Sequence, residues 1–208
     1  MNNTIFQQVE TPKIPRSRFD LTHEVKGTYD LGLLYPVQND IGIPGDIINY
    51  NVSIEGRAMP MVAPIMDNIR AYFHCFVVPL RLLDENFEEF ITGGEDGSNA
   101  YTIPTWTPTD TTVESLWDHM GFPVGVDPVG RRPIIYPLYA YNMIYNEHYR
   151  DQNLISEYAL TDEDVKRRAW ERDYYNASCP TQQKGTAPAF PISGITSAVF
   201  AKDGTFRS

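Results

Sequence analysis

Two stretches of apolar residues constrain the fold of this chain more than any other feature of its sequence. Residues 45–57 alternate between apolar and polar side chains, with isoleucine, tyrosine or valine at every second position from 48 to 54. Residues 69–78 are apolar or aromatic on both sides and end at Pro79. A period of two is typical of a half-buried β-strand, and a strand that is apolar on both faces is typical of the middle of a sandwich. The sequence therefore predicts a mainly β domain. Weaker strand candidates are residues 29–37 and 195–206.

Short helices are predicted beside these strands. Residues 111–120 combine a Thr-x-x-Glu capping box with apolar residues at positions 113, 116, 117 and 120. Residues 138–150 place one leucine and three tyrosines on one side of a helix, and residues 84–91 form a further candidate. Thr161 begins another, whose acidic start and basic end suit the helix dipole. Pro-rich connections separate these segments, which predicts a β domain with long insertions that contain small helices.

The composition excludes several classes of protein. The 208 residues carry a formal net charge of −10, which argues against a chain whose whole surface wraps nucleic acid. No run of about 18 apolar residues occurs, so we expect no membrane insertion. The first residues lack the basic and apolar blocks of a secretory signal. Without such a signal, Cys75 and Cys179 are expected to be reduced thiols in a cytoplasmic setting.

No catalytic, cofactor-binding or metal-binding motif stands out. The sequence has no glycine-rich phosphate loop, no nucleophile elbow and no histidine pair with ligand spacing. We therefore expect no enzyme activity, no cofactor and no metal site, and we expect His74 to be a hydrogen-bonded histidine of the core. For the basic residues 166–168, a solvated helix end is favoured over a contact with phosphate or an acidic partner.

Several sequence blocks, taken in their order along the chain, resemble a known family. The blocks are RFDLTHE at 18–24, PGD at 44–46, PIMDN at 64–68, VPLR at 78–81, YNMIYNE at 141–147, YRDQN at 149–153, WxRDY at 170–174 and QKG at 183–185. Together they cover about residues 16–191, and they resemble the major capsid protein of the Microviridae. These are small icosahedral bacteriophages with circular single-stranded DNA, and the likeness is closest to the gokushovirus branch. One departure is Cys179 before Pro180, where the family is expected to have a small apolar residue.

The resemblance implies an eight-stranded viral jelly roll with long helix- and loop-containing insertions, assembled as a T=1 icosahedral shell. Residues 1–26 would form an N-terminal arm. Residues 27–208 would be the N-terminal part of the jelly-roll domain, with insertions at about residues 84–190 and the remaining strands beyond Ser208. The implied partners are other copies of the chain, packaged single-stranded DNA, other phage structural or scaffolding proteins, and a host surface receptor. The implied location is the virion, assembled in the host bacterial cytoplasm.

Two groups of residues are candidates for contacts in such a shell. The first group combines positive charge, a proline-stiffened arm and an aromatic ring, which suits the phosphates and bases of single-stranded DNA. It consists of Lys13, Arg16, Arg18 and Phe19. Pairing of Arg18 and Asp20 with a neighbouring subunit is the alternative role for this arm. Candidates for the subunit interface are Tyr141, Tyr145, Tyr149, Arg150, Trp170, Arg172 and Tyr174.

A jelly-roll carbohydrate-binding module is the alternative function. Such a module would share the aromatic-rich strands of this sequence. It would also need exposed aromatic side chains that form one platform, and it would usually be secreted.

Overall fold

Four short α-helices and one π-helical turn make up the helical structure of the described residues. The computed structural model describes residues 15–126, 129–130, 132–171 and 174–175. Helix α1 spans Leu80–Leu83, α2 Phe87–Thr92, α3 Leu116–His119 and α4 Tyr136–Ile144. Helix α4 continues directly into the π turn Tyr145–Tyr149. The predicted strand at 195–206 lies outside the described residues.

The helices meet in a core built around two tryptophans. Trp106 and Trp117 are each 1% exposed, and their ring centroids lie 4.9 Å apart in an edge-to-face arrangement that aromatic pairs prefer. Leu116 and Leu138 are buried to the same degree and bring α3 and α4 to this core. The remaining core residues are Leu83, Ile135 and Tyr136.

Two of the helix predictions are confirmed and one is confirmed only in part. Helix α2 begins three residues after the start of the predicted segment 84–91, and α4 with its π turn runs from Tyr136 to Tyr149, against a predicted 138–150. Helix α3 exists, but the prediction that the capping box at residues 111–114 begins it is wrong. The Asp110 carboxylate accepts a hydrogen bond from the Thr112 backbone at 2.8 Å, which favours a turn there. Ser115 is the N-cap instead, and Val113 is exposed rather than buried.

The prediction of a helix that begins at Thr161 is wrong. The Asp162 carboxylate accepts from the Asp164 backbone in a local turn. Beyond it, the Lys166 carbonyl accepts from Leu34 N at 2.9 Å, and Arg168 N donates to Gly32 O at 2.9 Å. These long-range backbone hydrogen bonds take the place of a helical ladder, so the basic run at 166–168 is not a helix end.

Within the described residues, β pairing is limited to two isolated antiparallel bridges. One joins Leu33 to Arg167 and the other joins Thr105 to Ile134. Residues 45–57 and 69–78 carry no paired strand there. A strand needs hydrogen-bond partners on a neighbouring strand, so the eight-stranded jelly roll stays a prediction. In the part of the chain that the structure describes, no helix is long and apolar enough to cross a membrane.

Candidate subunit and nucleic-acid interface

A buried asparagine anchors helix α4 to the chain that follows it. Asn142 is 0% exposed, and its Nδ2 donates to the carbonyls of Leu160 and Asp162, each at 2.8 Å. Its Oδ1 is buried without a hydrogen-bond partner. Because the amide group serves two carbonyls of one loop, residues 160–162 are held against the helix that carries the predicted interface tyrosines.

Tyr141 and Tyr145 hold the next part of the chain against the same helix. The Tyr141 hydroxyl donates to Leu34 O at 2.9 Å and accepts from Lys166 N at 2.8 Å. Tyr145 is 3% exposed, and its hydroxyl donates to Arg167 O at 3.1 Å. Burial raises the pKa of Tyr141, so its hydroxyl remains a donor well into the alkaline range. Both hydroxyls have partners within one chain, and their role at a subunit interface stays a prediction.

Arg150 closes the loop that follows the π turn. Its side chain is 8% exposed, and its guanidinium donates to Ile155 O at 2.8 Å and to the Glu157 carboxylate at 3.0 Å. A single arginine thereby satisfies a backbone carbonyl and a carboxylate of the same loop. These intrachain contacts do not test its predicted interface role.

An aromatic cluster joins residues 69–78 to the π turn. The Tyr149 hydroxyl shares a hydrogen bond with His74 Nδ1, and the two rings are stacked with their centroids 5.9 Å apart. Phe76 stacks on His148 with a centroid distance of 5.0 Å. The prediction that His74 is hydrogen-bonded is confirmed, but its placement in the core is wrong because the residue is exposed.

Trp170 and Tyr174 differ from the tyrosines of the helix in their exposure. Their side chains are 90% and 91% exposed, so both are accessible to a partner. The third interface candidate of this block, Arg172, lies outside the described residues.

The N-terminal arm also presents its candidates to solvent. Arg16 and Arg18 are exposed, and Phe19 is 80% exposed. Asp20 accepts hydrogen bonds from the side chain and the backbone of Thr22, which lower its pKa. Lys13 lies outside the described residues, so the structure brings three of the four arm candidates into view as an exposed basic and aromatic segment.

Two carboxylates organise the core loops, and sequence reasoning missed both. Asp84 accepts from the hydroxyls of Tyr101 at 2.6 Å and Tyr136 at 2.8 Å. Burial alone would raise the pKa of Asp84, but these hydrogen bonds outweigh it and hold the pKa below its usual range. Glu163 accepts from Trp106 Nε1 at 2.8 Å, across 57 residues of sequence. Such distant partners leave no local signal in the sequence.

The described residues do not bring together three or more histidine, cysteine, aspartate or glutamate side chains that could hold a metal ion. The polar clusters around Asp84, Asn142 and Glu163 instead hold loops to helices. Their arrangement is that of a structural scaffold.

Comparison with known proteins decides the family. A family model described as capsid protein (F protein) matches residues 7–207. This chain belongs to the capsid protein (F protein) family. The capsid proteins VP1 of Chlamydia phage 1 and Bdellovibrio phage phiMH2K are 34% and 35% identical to it over 91% and 92% of its length. Capsid protein VP1 of Spiroplasma virus 4 is 24% identical over 91% of the chain.

Membership of the capsid protein family confirms the resemblance to Microviridae major capsid proteins, and with it a structural role. The chain spans 37% or 38% of the length of these capsid relatives. The polar anchors described above are thus features of a capsid-family chain, in which helix α4 and residues 158–171 form one packed unit.

Proposed function

We propose that this capsid-family chain acts as a major capsid subunit that self-assembles into a T=1 icosahedral shell around a circular single-stranded DNA genome. The observation that carries the proposal is the family match over residues 7–207, together with relatives named as capsid proteins. The shell would be part of the virion and would assemble in the host bacterial cytoplasm. Other structural or scaffolding proteins of the phage and a host surface receptor would be its further partners.

The proposed subunit fold is the eight-stranded jelly roll. Support comes from the alternating side chains Ile48, Tyr50, Val52 and Ile54, which are 44–60% exposed in the structure. Full burial of an aliphatic side chain is worth about 1.5–3 kcal/mol. Pairing of residues 45–57 into a sheet would bury this face and satisfy the backbone groups along the segment. The same reasoning applies to residues 69–78, where Val77 is 91% exposed.

Among the interface candidates, Tyr174, which is 91% exposed, is the side chain best placed to contact another copy of the chain. Interfaces are enriched in tryptophan and tyrosine, which bury large areas in a partner's pockets. Tyr141, Tyr145 and Arg150 would contribute indirectly, because their intrachain hydrogen bonds position the segment that ends at Trp170.

Sedimentation of the full-length protein tests the proposed assembly. Shells, or pentamers as assembly intermediates, are the expected result. A protein that stays monomeric and binds sugars would overturn the capsid proposal in favour of a carbohydrate-binding module.

The arm is proposed to contact the packaged DNA. Substitution of Lys13, Arg16 and Arg18 by alanine should leave empty shells intact but reduce the packaged DNA, because three phosphate contacts are lost. If the arm instead joins subunits, the same triple variant should fail to form shells. Intact shells with normal DNA content would contradict both roles.

A matched control removes the same charge elsewhere. Arg57, Arg70 and Arg81 lie outside the arm and are also exposed, so their triple substitution by alanine makes an equal change in net charge. DNA content should fall in the arm variant and stay near the wild-type value in this control.

A further inference from the structure

A surface pocket opens beside the π turn, where residues 148–151 face residues 168–171. It has a volume of about 230 Å³, and its lining includes His148, Arg168 and Trp170. The Trp170 side chain is 90% exposed. An exposed aromatic ring, a guanidinium and an imidazole therefore share one open, polar cavity.

The alternation of side chains along residues 166–170 explains why Arg168 and Trp170 reach the same cavity. Non-helical backbone here pairs with residues 32–34, and side chains two residues apart on such a segment share a side. Lys166 is 3% exposed and paired with Asp162, whereas the Arg167 guanidinium lies toward the Leu31 carbonyl. Internal packing thus uses the first two basic residues and leaves Arg168 at the pocket.

Arg168 is held by an ion pair that a phosphate can displace. Its Nη2 lies 2.7 Å from the Glu171 carboxylate, and the Glu171 side chain is 70% exposed. Exposed pairs of this kind are worth about 0–1 kcal/mol, so little free energy is lost when an anion replaces Glu171. Asp151 lines the same pocket, and the two carboxylates keep the affinity for an anion low.

We propose that this pocket binds one nucleotide of single-stranded DNA, with the base stacked on Trp170 and the phosphate bound by Arg168 and His148. Guanidinium groups bind phosphate through paired, charge-assisted hydrogen bonds, and stacking on an aromatic ring accepts any base. The inference rests on the proposed function for the source of the DNA. A weak site repeated in every subunit of a shell holds a long strand by multivalency.

Binding of oligo(dT) to the full chain tests the site, measured by anisotropy of a labelled oligonucleotide. Trp170→Ala should weaken binding about 5- to 150-fold, which is the loss of one stacked base. Arg168→Ala should also weaken binding and should reduce the salt slope by about 0.7 for the lost phosphate contact. Glu171→Gln should tighten binding, because the internal competitor of the phosphate is removed.

Intrinsic fluorescence gives a second readout. Trp106 and Trp117 are each 1% exposed, so quenching of the exposed Trp170 should report base stacking directly. Saturable quenching by oligo(dT) at the same concentrations as the anisotropy change is expected. Anisotropy change without quenching would show that the DNA binds elsewhere and would overturn the assignment.

Matched controls remove an exposed ring and an exposed charge that do not line the pocket. Phe90→Ala and Arg57→Ala should bind oligo(dT) as the wild type does. If Trp170→Ala and Arg168→Ala also bind normally, the pocket is not a nucleotide site, even where shells form and package DNA. Failure of the wild-type chain to form shells would instead count against the proposed function and would leave the oligonucleotide result to decide the pocket.

Discussion

Replacement of Asn142 tests how strongly helix α4 depends on its one buried amide. The alanine variant leaves the carbonyls of Leu160 and Asp162 without the donor that now lies 2.8 Å from each. Both hydrogen bonds are part-buried, and a carbonyl left unsatisfied there costs up to about 1–3 kcal/mol. Loss of the partnerless Oδ1 offsets about 1–3 kcal/mol of this cost, because that atom is itself buried without a hydrogen bond. We expect Asn142→Ala to lower the free energy of unfolding by about 2 kcal/mol.

The aspartate variant is a more stringent test of the two hydrogen bonds from Asn142. Asn142→Asp places a carboxylate oxygen where the donor was, opposite two carbonyl oxygens, in a site with 0% exposure. An uncompensated buried charge costs about 3–5 kcal/mol, so this variant should be less stable than Asn142→Ala at pH 7.

Urea unfolding measures both variants, with the fluorescence of the buried tryptophans as the signal. The slope against urea should stay constant while the midpoint falls. Asn68→Ala, at an exposed position, is the control and should change stability by less than about 0.5 kcal/mol. An Asn142→Asp protein as stable as Asn142→Ala would refute the assigned hydrogen bonds.

Two further predictions concern the core. The hydrogen bonds that hold the pKa of Asp84 below its usual range stabilise the fold above about pH 4, and that stability is lost as the pH falls through the folded-state pKa. Asp84→Asn should therefore be less stable at pH 7 and lose less stability between about pH 4 and pH 2, as measured by urea unfolding across that range. Trp117→Ala should cost about 3–5 kcal/mol through the cavity that it leaves, whereas Val113→Ala, at a 69% exposed side chain, should shift the melting temperature little.

The sequence predicted a helix correctly where apolar residues recur at the helical period, because burial of that apolar side stabilises the helix. The apolar side of α4 and its π turn follows the helical period, and Leu138 of the helix and Tyr145 of the turn are buried as that period requires. The segment after Thr161 carries the charges of a helix but does not form one, because its backbone finds long-range partners at Gly32 and Leu34. Charge order along a sequence contains no information about such partners.

The sequence predicted only part of the candidate site. The aromatic residues of the WxRDY block stand out in sequence, and Trp170 is indeed accessible. Nothing local distinguishes Arg168, which faces the pocket, from Lys166, which is 3% exposed. The two side chains lie on the same side of a short extended segment, so their different exposure depends on the tertiary packing around each of them.

The bridge between Leu33 and Arg167 has a consequence for the order in which the chain folds. Arg167 also meets the Leu31 carbonyl, 136 residues away in sequence, but meets the Tyr145 hydroxyl at a separation of only 22 residues. Closing the longer loop costs roughly 1.5 kcal/mol more in chain entropy. We therefore expect helix α4 and its downstream segment to pair before the residues around Leu33 dock onto them, although those residues are synthesised far earlier.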